Sequence, residues 1–136
     1  VIIADTNVVS ELFRAPADER VLAWLDANPT VGTTAITVGE VWAGIEQLPE
    51  GRRKTGFVEV AEDVFHEFFG DITEYGAEAA RLYGRITAEC RVLGRPISQG
   101  DAHIAAICLA EDAVLATRNV KVFTDLGLEI VNPWEW

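Results

Sequence analysis

Apolar residues fall into two kinds of run along this chain. Val1-Ile2-Ile3-Ala4, Val31 to Ile36 and Ala113-Val114-Leu115-Ala116 are short and do not alternate regularly with charged positions. Leu128 to Val131 is a fourth such run, and Gly70 to Thr73 leaves room for one more around Ile72. These runs predict strands, most of them buried on both faces as in a parallel sheet. Between them, apolar residues recur at helical spacing. Val8, Val9, Leu12 and Phe13 form one stripe. Val21, Leu22, Trp24 and Leu25 form another within Asp18 to Asn28. A third follows Thr37 as Val38, Val41, Trp42, Ile45 and Leu48. A fourth helical stretch runs from about Phe57 to Phe69, and the longest from Glu74 to Leu93. Asp101 to Glu111 is apolar nearly all round, which predicts a central, buried helix. Pro16, Asn28-Pro29, Pro49-Glu50-Gly51, Gly94 and Asn132-Pro133 punctuate the elements.

Strands that alternate with helices predict a parallel sheet with helices on both faces. With 136 residues and neither repeat nor linker, the chain reads as one domain spanning residues 1–136. No apolar run approaches the roughly 18 residues of a membrane span. The N-terminus shows no secretory leader, so a cytoplasmic protein is expected. Cys90 and Cys108 sit in helical apolar patterns without a C-x-x-C neighbour, and read as buried reduced thiols.

The net charge is −11, from 22 acidic and 11 basic residues. That excludes a surface that binds nucleic acid simply by being basic. It leaves no nucleic acid at all, a basic protein partner, or a metal that bridges acids to phosphate.

Three acids bear on that choice. Asp5 closes the first strand, at the sheet edge where ligands bind in α/β folds. Glu40 closes T-V-G-E, which reads as a capping box with Thr37 as cap. Asp101 closes S-Q-G-D at another helix start, where the dipole favours an anion. Each has a sufficient structural reason by itself. Together, on one sheet edge, they would repel one another, and a divalent cation removes the conflict. Oxygen-only donors favour Mg²⁺ or Mn²⁺ over zinc. His103 points to a different side of its helix from Asp101 and is read as a non-ligand. His66 has no constellation around it.

D-T-N-V-V-S-E, T-V-G-E-V-W-A-G-I, G-D-A-H-I-A-A-I, A-T-R-N-V and V-N-P-W occur in this order across the whole chain. In this the sequence resembles the PIN-domain ribonucleases, and among them the VapC toxins of bacterial toxin–antitoxin pairs, in their FitB-like branch. The resemblance implies a three-layer α/β/α sandwich around a small central parallel sheet. It also implies Mg²⁺-dependent cleavage of RNA phosphodiesters, with Mn²⁺ able to substitute. The family's acids fall on Asp5, Glu40 and Asp101, with Asn7, Thr117 and Asn119 at supporting positions. The family's fourth acid would fall on Asn119 or Val122, and neither is acidic. Asp125 is out of register. A second metal position is therefore not accounted for.

The resemblance further implies a cognate antitoxin as inhibitor, and the empty acid cluster calls for a basic residue in its inhibitory segment. Trp24, Trp42, Trp134 and Trp136 predict an apolar contact surface for a homodimer and for the antitoxin, although core packing also explains Trp24 and Trp42. Arg52, Arg53, Lys54 and Arg85 are candidate RNA contacts, although solvated helix faces also explain them. Two alternatives remain at this stage. One is a catalytically weakened PIN domain that only binds RNA or protein, which the missing fourth acid favours. The other is a phosphatase with Asp5 as nucleophile, which Asn7 opposes by standing where a second aspartate is wanted.

Overall fold

Five short parallel strands form the sheet: β1 (Ile2–Ala4), β2 (Thr33–Thr34), β3 (Ile72–Thr73), β4 (Val114–Ala116) and β5 (Ile130–Val131). The computed structural model describes residues 1–136. β4 lies between β1 and β5, and β2 pairs with β3. A parallel bridge between Ile3 and Gly32 joins the two groups, with Ala4 N–H on Gly32 O at 2.8 Å and Gly32 N–H on Ile2 O at 3.0 Å. The spatial order is therefore β3-β2-β1-β4-β5. The chain winds outward from β1 through β2 to β3, then crosses back to β4 and β5. That reversal lies between β1 and β4, and in open α/β sheets the ligand crevice opens at the carboxyl ends of such a strand pair.

Seven α-helices cover the sheet: α1 (Thr6–Glu11), α2 (Glu19–Ala27), α3 (Ala35–Glu46), α4 (Arg52–Asp63), α5 (Ala77–Val92), α6 (Gln99–Ala110) and α7 (Val120–Phe123). Side chains alternate across a strand, so neighbouring residues feed different cores. Ile3 and Leu115 pack with Ala79 and Ile86 of α5 and with Ile104 and Ile107 of α6. Ala4 and Ala116 face the other side, with Val8, Val9, Trp24, Ile45, Ala61, Phe69 and Trp134. Two cores separated by one sheet are the three layers expected. The apolar girth of α6 is explained too: Ala102 and Ile104 to Cys108 are all buried.

The second strand is shorter than the pattern suggests. Only Thr33 and Thr34 are extended, because Thr34 ends the strand as the cap of α3, its hydroxyl accepting from Thr37 N–H at 3.1 Å. Thr37 therefore is not the cap, and Glu40 belongs to no capping box. Thr33 is fully buried, and its hydroxyl is satisfied on Ala4 O at 2.9 Å. Gly32 is required at its place, since a Cβ there would lie 2.7 Å from Asp71 O.

Other boundaries moved as well. α4 begins at Arg52, not near Phe57, so the Arg52-Arg53-Lys54 cluster is its first turn, and a π-helical turn, Val64–Phe68, extends it. α6 begins at Gln99, capped by Ser98, whose Oγ accepts from Asp101 N–H at 3.1 Å. α7 and the 3₁₀ turn Pro133–Glu135 are too short to leave a periodic signal. Trp24 and Trp134 are core residues, Trp42 is half-buried, and only Trp136 is largely exposed. Trp24 and Trp134 therefore offer no contact surface. Cys90 and Cys108 are buried and free of disulfide bonds, as expected.

Candidate functional site

Asp5 is the first residue beyond β1, and its N–H still pairs with Ala116 O of β4 at 2.9 Å. Its extended backbone makes it the cap of α1: Oδ1 accepts from Thr6 N–H at 2.8 Å. Oδ2 accepts from the Thr117 hydroxyl at 2.7 Å and from Asn7 Nδ2 at 3.2 Å. Both readings of Asp5, as a cap and as a member of an acid cluster, are thus compatible. Asp5 is 2% exposed, and all three donors to its carboxylate are neutral. Burial raises its pKa from the ordinary 3.8 to about 6. The Thr117 and Thr6 hydrogen bonds pull it down, and the Asp101 and Glu40 charges push it further up. The Cys108 thiol is pushed up to about 12, by burial and then by the Asp5 charge.

Thr117, the first residue beyond β4, is the neighbouring post of the crevice. Its oxygen donates to Asp5 and accepts from Asn7 Nδ2 at 3.2 Å and Asn119 N–H at 3.0 Å. Asn7 Oδ1 accepts from Arg118 N–H at 3.3 Å. Asn7, Thr117 and the Asn119 backbone therefore form one hydrogen-bonded frame around Asp5.

Glu40 approaches from α3. Its Oε1 accepts from the Thr6 hydroxyl at 2.8 Å, and Thr6 Oγ1 also lies 3.0 Å from Thr37 Oγ1. Its Oε2 lies so close to α6 that a Cβ on Gly100 would meet it at 3.0 Å. The residue after Gly100 is Asp101, half-buried in the first turn of α6. Thr6 and Gly100 are contributors that the sequence pattern did not single out. Their signal was only adjacency, Thr6 to Asp5 and Gly100 to Asp101.

The sheet order and the α3–α6 packing thus bring Asp5, Glu40 and Asp101 to one edge. They do not close into a cage, since no group of three His, Cys, Asp or Glu side chains stands ready to hold an ion. Even so, Asp5 senses the charges of both other acids. A buried carboxylate with no cationic partner, facing two more carboxylates across an open gap, fits a hard cation that keeps several waters. Mg²⁺ has that habit, and it needs few direct protein ligands. The donor set does not fit zinc, which favours nitrogen and sulfur.

No fourth carboxylate joins them. Asn119 is exposed and contributes its backbone N–H to Thr117, while Val122 packs against the core. Asp125 is engaged in an ion pair with Arg95 at 3.3 Å. Among the basic candidates, Lys54 is held by Glu50 at 2.8 Å and Arg85 by Glu89 at 3.5 Å. Arg53 lies over the Phe57 ring at 5.5 Å, and Arg52 is exposed at the start of α4. His103 packs at a tilt against both Tyr75 and Tyr83, with ring centroids 4.6 and 4.5 Å away.

An open α/β domain with carboxylates gathered at its switch point defines the class of molecule. Residues 2–127 match the PIN domain family, and the chain belongs to that family. It is similar to the VapC ribonuclease Y4jK of Sinorhizobium fredii, at 39% identity over 137 residues and 98% of both chains. It is similar also to the toxin FitB of Neisseria gonorrhoeae, at 33% identity over 136 residues and 98% of both chains. In the crystal structure of FitAcB from Neisseria gonorrhoeae, a chain 33% identical superimposes with a TM-score of 0.89, over 100% of both chains.

Proposed function

We propose that this protein is the ribonuclease toxin of a toxin–antitoxin pair, an endoribonuclease that hydrolyses RNA phosphodiester bonds with the aid of Mg²⁺, for which Mn²⁺ can substitute. The observation that carries this reading is Asp5: a buried carboxylate at the switch point, held by neutral donors and facing Glu40 and Asp101. Near full-length similarity to a VapC ribonuclease and to the toxin FitB supports it.

When bound, the cation supplies Lewis-acid chemistry to the phosphate and to nearby water. Asp5, Asp101 and Glu40 are the residues that would hold it. Thr117, Asn7 and Thr6 fix both Asp5 oxygens, so this carboxylate needs little reorganisation when a cation arrives. Glu40 is tethered through Oε1 to Thr6, which leaves Oε2 directed along the start of α6. The N-terminal turn of α6 adds a partial positive charge beside Asp101.

The natural inhibitor is a cognate antitoxin, whose inhibitory segment carries a lysine or arginine into the acid cluster. The working unit is a homodimer, and it acts in the cytoplasm, where its RNA is. No helix here is long and apolar enough to cross a membrane.

The test is cleavage of a defined RNA by the purified protein with Mg²⁺, with EDTA, and with Mg²⁺ restored. Cleavage that disappears and returns supports the reading. Cleavage that persists in EDTA overturns the metal site. A folded protein that binds RNA in Mg²⁺ without cutting it favours a binding module instead, the reading to which the non-acidic Asn119 and Val122 lend support.

A further inference from the structure

Arg118 follows Thr117 directly, yet nothing in its sequence setting marks it out. Five of the eleven lysines and arginines are in ion pairs, and Arg118 is not one of them. Its backbone N–H is anchored on Asn7 Oδ1 at 3.3 Å, within the frame that holds Asp5. Its guanidinium lies over the Trp134 ring, 5.1 Å from the centroid. Trp134 is itself a core residue, 5% exposed, with its backbone N–H donating to Asn132 Oδ1 at 3.0 Å. The ring is therefore a fixed shelf, and the cation on it is exposed. No side-chain hydrogen bond engages the guanidinium, so its N–H donors remain available. An unpaired arginine whose backbone is tied to the frame that holds Asp5, in a protein of net charge −11, is placed to receive an anion.

We infer that Arg118, preoriented on Trp134, binds an RNA phosphate next to the one that is cut. This rests on the ribonuclease reading above. Contact with the ring restricts the guanidinium, and its unengaged N–H donors match phosphate oxygens two at a time. A lysine would supply the charge without the fork. An antitoxin carboxylate is the other anion that would suit this position. It is an outcome of the test rather than part of the inference.

Arg118→Met keeps an apolar stem against Trp134 and removes the charge. Arg118→Lys keeps the charge. Arg20→Met, at an exposed residue of α2 paired with Asp18, is the control for lost net charge. Each is combined with Asp101→Asn, so that RNA is not consumed. Binding of a fluorescein-labelled single-stranded RNA in Mg²⁺ is followed by anisotropy over a KCl series.

Arg118→Met is expected to raise Kd about tenfold and to lower the salt slope by about 0.7, one phosphate contact. Arg118→Lys should keep the slope and raise Kd less, while Arg20→Met changes neither. In the cleaving protein, Arg118→Met should raise KM about tenfold and change kcat less than about threefold. If Asp101→Asn protein binds RNA and Arg118→Met leaves Kd and slope unchanged, the inference is wrong and the ribonuclease reading stands. That outcome, together with weakened antitoxin binding, assigns Arg118 to the inhibitor instead. If the folded protein neither binds nor cuts RNA, both readings fail together.

Discussion

Thr117 Oγ1 donates to Asp5 Oδ2 at 2.7 Å, across 112 residues of sequence. Each residue is the first beyond its strand, and the two strands are neighbours at the point where the sheet order reverses. The bond orients the Asp5 carboxylate and opposes the burial that would protonate it. Thr117→Val keeps the shape and removes the donor. A hydrogen bond to a charged buried group is worth about 1.5–3 kcal/mol. Mn²⁺ affinity, measured by calorimetry at pH 7, is therefore expected to fall about tenfold or more. The pH at which half the affinity is lost should also rise. Unchanged affinity would show that Thr117 is a packing residue.

The Asp5 pKa gives a pH window. Its folded value, about 6, lies above the ordinary 3.8, so the folded protein takes up this proton more readily than the unfolded chain. The proton's stabilising effect is full below about 3.8 and is lost as pH rises through about 6. Above that, the buried charge costs the cation-free protein roughly 3 kcal/mol. A cation must displace the proton at low pH. Mn²⁺ affinity should therefore be level above pH 7 and fall about tenfold per unit below about 6. The gain in Tm on adding Mg²⁺ should be largest near pH 7 to 8 and nearly vanish at pH 5. An affinity independent of pH from 5 to 7 would contradict the role given to Asp5.

Asp101→Asn and Glu40→Gln separate ligand from structural roles. Ser98 caps α6 and Thr34 caps α3, so neither acid is itself a cap. Asparagine at 101 gives up only an interaction with the helix dipole, about 0.3–1 kcal/mol. Glutamine at 40 can still accept from Thr6. Both variants should melt within about 5 °C of the parent in EDTA, and both should lose RNA cleavage by at least about a hundredfold. Full activity in either variant would remove that residue from the site.

The two candidate positions for a fourth acid are not equivalent. Asn119 is exposed, on the strand-end frame beside Thr117, whereas Val122 packs against the core. Asn119→Asp should fold normally and lower the Mg²⁺ concentration for half-maximal cleavage. Val122→Asp would force an unpaired carboxylate against apolar side chains, and should cost about 1–3 kcal/mol of stability by denaturant titration. Equal tolerance at both sites, with neither changing the Mg²⁺ requirement, would mean that the second position is built from other residues.

The sheet was legible because β1 and β4 are uninterrupted apolar runs, and α6 because its apolar surface has no polar side. Asp5 and Asp101 were legible because each stands at the start of a helix, whereas Glu40 was picked out through a T-V-G-E pattern that turns out to lie in the middle of α3. What escaped was local competition between equivalent groups. Thr34 and Thr37 can both cap a helix, and the choice depends on where the two-residue β2 ends. That choice releases Glu40 from a capping box and gives it to Thr6. Trp134 looked like a surface residue because a three-residue turn has no period, yet the fold lays it into the core beneath Arg118. The frame made by Asn7, Thr117 and Arg118 could not be derived from spacing alone, since it forms only when β1 and β4 become neighbours. The resemblance did mark Asn7 and Thr117, but not Arg118.

Asp5, Glu40 and Asp101 are proposed to hold one divalent cation. Anomalous diffraction from crystals soaked in Mn²⁺ locates that ion directly. The expected result is one strong peak at the crevice between β1 and β4, about 2–2.3 Å from a carboxylate oxygen of Asp5 or Asp101, with Glu40 reached directly or through one water. A fully occupied peak elsewhere on the protein, with none at this edge in crystals whose dissolved protein still cleaves RNA, would contradict it.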